Sequence, residues 1–417
     1  MLPSPRFVLL TLAIAYRAAA APTLEIAPAR ITADEAATIR ALGLNPGERV
    51  TLAAQLTDGA GERWSAKADF AADAQGAVDT GKQAPVAGSY KSISPMGLIW
   101  SMRPESKRVS AYAAVRGEGS QIIDFQLLRR GQFLSQAKLE QVFAADGVRR
   151  IPVRDGSLRG VLFVPAGAGP HPGVLVVGGS EGGLPQRPAV WLASHGFAAL
   201  ALAYFRYEDL PRQLEGIPLE YFGLALEWMS RRPEISGMRY GVTGRSRGGE
   251  LALQLGSMYP RVAAVVAYVP SNARNAACCL QDGGPAWIWK GRPVPYFIPR
   301  RGSGSPPPEA EIEVEKTQGP ILMISGTDDH LWRSSEMADE VVGRLKRAHF
   351  AYDFSNLKYA HAGHSAGRPD IIPAWHSEVR NPTSGRENDL GGSPQGDAES
   401  SIDSMPKVLE FLMRALR

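Results

Sequence analysis

Between about Thr23 and Ala144, apolar and polar residues alternate, which is the period of strands with one buried face. The run "RVTLAAQLTDGAGERWSAKADF" predicts two strands joined at Asp58-Gly59, a pair favoured in hairpin turns. "SQIIDFQLLRRGQFLSQAKLEQVF" predicts another pair turning at Arg130-Gly131. Several short strands with regular turn signals argue for a β-sandwich. Past Gly147 the pattern changes. "GVLVVGG", "AALALAYF", "RYGVTG", "VAAVVAYVP" and "PILMISG" are short apolar runs, as strands buried on both faces should be. Amphipathic stretches such as "PLEYFGLALEWMSRRP" and "SSEMADEVVGRLKRA" lie between them. Strand and helix in alternation imply a mostly parallel sheet with helices on both faces, an α/β unit. The change near 145–150 predicts a sandwich domain over 23–146 and an α/β domain over 150–417.

Two stretches follow neither period. Residues 271–318, including "GRPVPYFIPRRGSGSPPPEAE", form a Pro/Gly-rich excursion between two sheet strands. Residues 376–403 are polar and loop-like ahead of the last helix. Insertions of this length act as functional covers or are disordered. The first residues differ again. "MLPSPR" is a short positive segment, "FVLLTLAIAY" an apolar core, and Ala18 and Ala20 stand in A-x-A spacing, which predicts a signal peptide over 1–20 and an exported protein. That core is too short to span a bilayer, and no later run is long enough, so the mature chain reads as soluble.

Composition narrows the function classes. The 417 residues carry a net charge of only +4, with the basic residues scattered. There is no Cys/His metal spacing and no basic–aromatic stripe, which argues against structural zinc and nucleic acid. The two cysteines, Cys278 and Cys279, are neighbours, and a bridge between them would close a strained ring, so the sequence argues against a stabilising disulfide.

The chemistry centres on "GVTGRSRGGELAL". Gly244-Arg245-Ser246-Arg247-Gly248 fits G-x-S-x-G, with a predicted strand leading in and a helix leading out. The pattern predicts the nucleophile elbow of an α/β-hydrolase domain, in which the serine sits at a helix N-terminus that favours developing negative charge. A hydroxyl needs a base to take its proton and an acid to hold that base, and in this fold acid and then histidine follow the serine. In "PILMISGTDDHLW" the acid is Asp329, with Asp328 the alternative. In "AHAGHSAGRP", after the strand "AYDFSNLKY", the base is His364, with His361 the alternative; His330 adjoins the acid loop. The oxyanion needs N–H donors, predicted at Arg247 and, from "VVGGSEGGLP", at Gly179 or Ser180. Such chemistry requires neither a metal nor an organic cofactor.

These segments resemble the acyl-CoA thioesterases of the bile acid-CoA:amino acid N-acyltransferase type. The likeness runs through nearly the whole chain after the leader. "GSYKSISPMGLIWSM" resembles the family's Pro-Met-Gly-Leu-x-Trp segment, and "ALAYFRYEDLP" and "LEYFGLALEWM" resemble its hydrolase segments. "GRSRGGELAL", "GTDDHLW" and "AGHSAGRPD" resemble its nucleophile, acid and base segments. The resemblance implies a serine hydrolase of acyl-CoA esters, with Ser246, Asp329 and His364 as the triad. Members with cysteine can pass the acyl group to glycine or taurine; the serine here favours hydrolysis. The implied partner is a small acyl-CoA thioester, and the oligomeric state stays open. Lys290, Arg292, Arg300 and Arg301 are candidates for the phosphates of CoA. Export stands against an intracellular CoA ester, so the alternative is an exported carboxylesterase or acyltransferase acting on a non-CoA acyl substrate.

Overall fold

The computed structural model describes residues 21–115, 118–278, 283–298 and 305–417. The predicted leader, Cys279, Arg300 and Arg301 lie outside the described residues. In the first part of the chain, Arg49–Thr57 and Arg63–Ala71 bury every second residue. Val50, Leu52, Ala54 and Leu56 face inward opposite Phe70, Ala68, Ala66 and Trp64. They belong to a seven-stranded sheet that also contains Ser120–Arg129 and Gln132–Val142. A three-stranded sheet of Thr23–Ala27, Thr38–Leu42 and Val78–Asp79 forms the other layer.

The two predicted hairpins differ in outcome. Arg130 and Gly131 form a two-residue turn with φ of 48° and 82°, closed by the Arg129–Gln132 pair. The other is a longer loop, since Thr57 pairs with Arg63 rather than with a residue just past Gly59. The reason is Asp58. One carboxylate oxygen accepts from the N–H groups of Ala60 and Glu62 (both 2.9 Å), and the other from Trp64 Nε1 (3.0 Å) and Ala113 N–H (3.1 Å).

The second part is one eight-stranded sheet. Its strands are β1 (Arg149–Asp155), β2 (Leu158–Val164), β3 (His171–Val177), β4 (Ala198–Ala203), β5 (Ile235–Arg245), β6 (Val262–Tyr268), β7 (Ile321–Gly326) and β8 (Phe354–Tyr359). Their order is β1-β2-β4-β3-β5-β6-β7-β8, parallel from β4 to β8. Helices α1 (Gln186–Ser194), α2 (Glu220–Ser230), α3 (Arg247–Met258), α4 (Ser334–Arg347) and α5 (Pro394–Ala415) cover it. Side chains alternate between two cores along each strand. Val174 and Val176 join α1 and α5 on one face; Leu175 and Val177 join α2, α3 and α4 on the other. No helix among the described residues is long and apolar enough to cross a membrane.

The core under α1 and α5 is continuous with that of the sandwich. Residues 371–377 run along the junction. Ile371 N–H donates to Ala33 O (2.7 Å), Ala374 N–H to Trp100 O (3.0 Å), and the Trp375 ring stands 6.1 Å from that of Trp64. The two irregular stretches are also packed. In the first, Trp287 is buried against α3, and Cys278 is disulfide-bonded, contrary to the sequence expectation. In the second, Val379–Arg380 and Glu387–Asn388 form a small hairpin, and α5 begins at Pro394, well before residue 403.

Candidate active site

Ser246 is the single residue between β5 and α3. Its φ of 58° and ψ of −122° lie in the left-handed half of backbone space, a strain of order 1–3 kcal/mol that the surroundings must hold. They do so from both sides: Ser246 N–H donates to Tyr268 O (2.9 Å), and Ser246 O accepts from Glu250 N–H (3.0 Å). The turn also presses on the end of β3. A Cβ on Gly248 would sit 2.5 Å from Gly178 O, so only glycine permits this approach.

Asp329 lies in the loop after β7 and His364 in the loop after β8. Asp329 Oδ2 is 2.9 Å from His364 Nδ1, while Oδ1 accepts from Leu331 N–H (3.0 Å) and Trp332 N–H (3.2 Å). Both side chains are buried, at 0% and 8% exposure, so water competes little for the bond. A carboxylate only accepts, so the bond assigns the proton to Nδ1 and leaves a lone pair on Nε2. That Nε2 is buried and has no hydrogen-bond partner. The Ser246 hydroxyl and the imidazole line the same cavity without bonding to each other, a looseness common before substrate binds. Trp332 meets the imidazole edge-on at 5.6 Å and is itself fixed by Nε1–H donation to Val269 O (3.0 Å).

The alternative acid and bases are placed elsewhere. Asp328 pairs with His330 (3.0 Å), which also bonds Asp389 (2.8 Å) in an exposed cluster. The two carboxylates, Asp389 foremost, hold the His330 pKa above its ordinary value. His361 is exposed, and its carbonyl accepts from Ser393 N–H (2.8 Å).

Of the predicted oxyanion donors, Arg247 opens α3, so its N–H is in the first turn and lacks an intrahelical acceptor. Gly179 lies against the elbow: a Cβ there would stand 3.5 Å from Ser246 Cβ. Its N–H, however, donates to Glu181 Oε1 (3.2 Å). The Ser180 hydroxyl accepts from Asn381 Nδ2–H (3.0 Å), which ties this loop to the small hairpin.

The cavity has a volume of about 360 Å³. Its inner end is apolar, formed by Val176, Trp191, Leu192, Val408 and Leu412, each at most 5% exposed. Charged side chains line it as well: Arg187, which is paired with Asp370, and the more exposed Arg368, Arg380 and Glu181. None of the described residues of 271–318 lines it. Lys290 instead stacks on Trp289 (5.9 Å), and its N–H bonds Glu220.

Two family models match the chain. One, described as the acyl-CoA thioester hydrolase/BAAT N-terminal region, covers residues 34–155. The other, the BAAT/acyl-CoA thioester hydrolase C terminal, covers 217–284 and 300–417. The chain belongs to this family. Among its relatives, acyl-coenzyme A thioesterase 6 of Mus musculus is 34% identical over 424 residues, covering 95% of this chain and 97% of that protein. Mitochondrial acyl-coenzyme A thioesterase 2 of Homo sapiens is 33% identical over 423 residues, covering 95% and 85%. Solved structures are more distant. A Mycobacterium tuberculosis puromycin-hydrolyzing peptidase is 13% identical with a TM-score of 0.46, covering 90% of this chain and 54% of that one. A putative dienelactone hydrolase from Klebsiella pneumoniae is 16% identical with a TM-score of 0.42, covering 64% and 98%.

Within this family member, several site residues were not singled out from the sequence. Arg245 donates from Nη1 to the carbonyls of His364 (3.1 Å) and Ala366 (2.8 Å), so the residue before the serine fixes the histidine loop. Burial, with Arg368 nearby, pushes its pKa down to about 10, which leaves it cationic near neutrality. Leu390 O accepts from His364 N–H (2.8 Å), and Asp397 Oδ1 accepts from Gly363 N–H (2.8 Å). The only sequence signal for these was an arginine inside a glycine-rich turn that has to be buried.

Proposed function

We propose that this protein is a serine thioesterase that hydrolyses acyl-CoA esters to free acid and CoA. The observation that carries this is the buried Asp329–His364 pair, whose unpartnered Nε2 and the Ser246 hydroxyl line one cavity. Ser246 Oγ attacks the thioester carbonyl as His364 Nε2 takes its proton. Asp329 keeps the ring in the tautomer that can do so and stabilises the imidazolium. The tetrahedral oxyanion is held by the N–H of Arg247 with that of Gly179 or Ser180. His364 then protonates the departing sulfur. The product is an oxygen ester on Ser246, which a water activated by His364 hydrolyses. An acyl-serine is less electrophilic toward amines than an acyl-cysteine, which favours water over an amino acid as acceptor. An apolar interior with Arg368 and Arg380 among its more exposed lining residues suits an apolar acyl chain on an anionic carrier. Thiol release from a panel of acyl-CoA esters tests the proposal, with Ser246→Ala expected to lose about 10⁶-fold in turnover. Equal release by wild type and Ser246→Ala would end it.

A second reading is favoured by the leader-like residues 1–20. It keeps the triad and makes the substrate an oxygen ester outside the cytoplasm. N-terminal sequencing of the protein made by its own host checks for cleavage after Ala20. Comparing oxygen-ester with CoA-ester hydrolysis separates the two substrates.

A further inference from the structure

Trp191 on α1 is 5% exposed and lines the inner end of the cavity onto which Ser246 faces. Its outer edge is held by the sandwich: Nε1–H donates to Asp34 Oδ2 (3.2 Å), and the same oxygen bonds His195 Nε2 (2.7 Å). Behind the indole, at the junction with the sandwich, lies a second space of about 10 Å³, lined by Thr32, Asp34 and Phe143 among others. Arg187, Trp191, Pro369 and Asp370 line both spaces, so these four residues are the partition between them. The polar part of the partition is the Arg187–Asp370 ion pair (2.7 Å). Its apolar part is the indole with Pro369 beside it. The sandwich supports both, since Phe143 also lies under the Arg187 guanidinium at 4.3 Å.

We infer that Trp191 is the end wall of the acyl-chain site and that Asp34, a positioning residue on the N-terminal sandwich, holds it there, so that the sandwich helps set the longest acyl chain accepted. The inference rests on the acyl-hydrolase reading above. It follows from what lies on each side of the indole: a buried apolar space that suits a hydrocarbon chain in front, and an anchored carboxylate behind. Freed of Asp34, the ring loses the bond that fixes its Nε1 edge and can yield to a longer chain.

The test measures kcat/KM for saturated acyl-CoA esters from short to long, with the same series as p-nitrophenyl esters. Trp191→Ala is expected to raise the long-to-short ratio, by about fourfold for each methylene the opened space takes in, at ~0.8 kcal/mol per buried methylene. Asp34→Ala, which lies outside the cavity, is expected to raise the same ratio to a lesser degree. Trp191→Phe stands in if the alanine variant does not fold, with a change in the same direction. The inference is overturned if a folded Trp191 variant keeps the wild-type ratio, or if Asp34→Ala lowers every chain length by one common factor. Wild type that cleaves nitrophenyl esters and releases no CoA would remove the thioesterase reading alone, because the chain-length ratio on nitrophenyl esters still decides the wall.

Discussion

Glu250 offers a test of how the interior supports the elbow. It lies one turn into α3 and is 0% exposed. Oε1 accepts from Trp287 Nε1 (2.9 Å) and Asn275 N–H (3.3 Å); Oε2 accepts from Asn275 Nδ2 (2.8 Å) and pairs with Arg247 Nη1 (3.0 Å). Arg247 is itself 6% exposed at its side chain, so the ion pair is away from water. In Glu250→Ala the guanidinium keeps its bond to Asn275 O (2.9 Å) but loses its counter-charge, a cost of about 3–5 kcal/mol. The Trp287 donor, also buried, loses its acceptor, worth ~1–3 kcal/mol more, though the two costs share one site and do not simply add. The expected destabilisation is therefore about 3–5 kcal/mol or somewhat above, read as a lowered urea midpoint of the α/β part. Under the proposed mechanism turnover should fall as well, because Arg247 would supply an N–H to the oxyanion. The double change Arg247→Met, Glu250→Leu removes both charges together and should cost less than the sum of the singles. A Glu250→Ala protein within ~1 kcal/mol of wild type, or strictly additive single changes, would refute the reasoning.

Three further outcomes follow from the site and the junction. Asp329→Asn keeps the shape but lets the imidazole take the wrong tautomer, so kcat should drop about 10⁴-fold with little change in fold; near-normal turnover would remove Asp329 from the mechanism. Gly179→Ala places a Cβ 2.8 Å from Glu181 Oε2 and 2.9 Å from Arg245 O, so the loop must shift. A loss of about 10²–10³-fold in kcat with KM nearly constant is expected if that loop carries an oxyanion donor. At the junction, burial raises the Asp34 pKa, but the hydrogen bond and charge of His195 outweigh it and the net shift is downward; Asp34 in turn raises His195. Asp34 thus stabilises fully above its ordinary 3.8 and loses this as pH falls through its lowered folded value; His195 stabilises fully below its ordinary 6.5 and loses this as pH rises through its raised one. Thermal scans against pH should show wild type exceeding His195→Gln most between those limits, and a difference that is constant with pH would count against the pair.

The sheet was legible because a strand buried on both faces must be largely apolar where it is buried, as β4, β6 and the buried parts of β3, β5 and β7 are. The elbow was legible for a related reason: Gly248 meets β3 backbone, a constraint that leaves a glycine in the sequence. What sequence did not reveal depends on partners far along the chain. Asp58 has the composition of a tight turn, yet its carboxylate is held by Trp64 and by Ala113, 55 positions away. Residues 271–318 have the Pro and Gly content of a solvated loop, and their basic residues suggested CoA phosphates. Of the candidates, Lys290 and Arg292 do not line the cavity, and the arginines that do come from other segments. The edge hairpin of β1 and β2 was missed because its first strand is mostly exposed and carries no apolar run.

The polar stretch after residue 376 shows why composition misleads about a cover. Its contacts are made largely by backbone and short polar groups, so no apolar pattern is needed to bind it to the rest. Asn381 holds the Ser180 hydroxyl, Thr383 Oγ1–H donates to Glu181 O (3.2 Å), Leu390 O takes His364 N–H, and Gly391 pairs with Asp329. One segment therefore touches the loops after β3, β7 and β8, which are the three from which the proposed oxyanion donor, acid and base project. Each loop alone could adjust independently; joined through the cover, a displacement of one is resisted by the other two. The approach is close enough to fix composition: a Cβ on Gly363 would stand 2.4 Å from Gly391 O. The alignment of Asp329 with His364 is thus imposed in part by this segment, whose Asn381 and Leu390 also line the cavity, and the cover acts as part of the frame rather than as a separate lid.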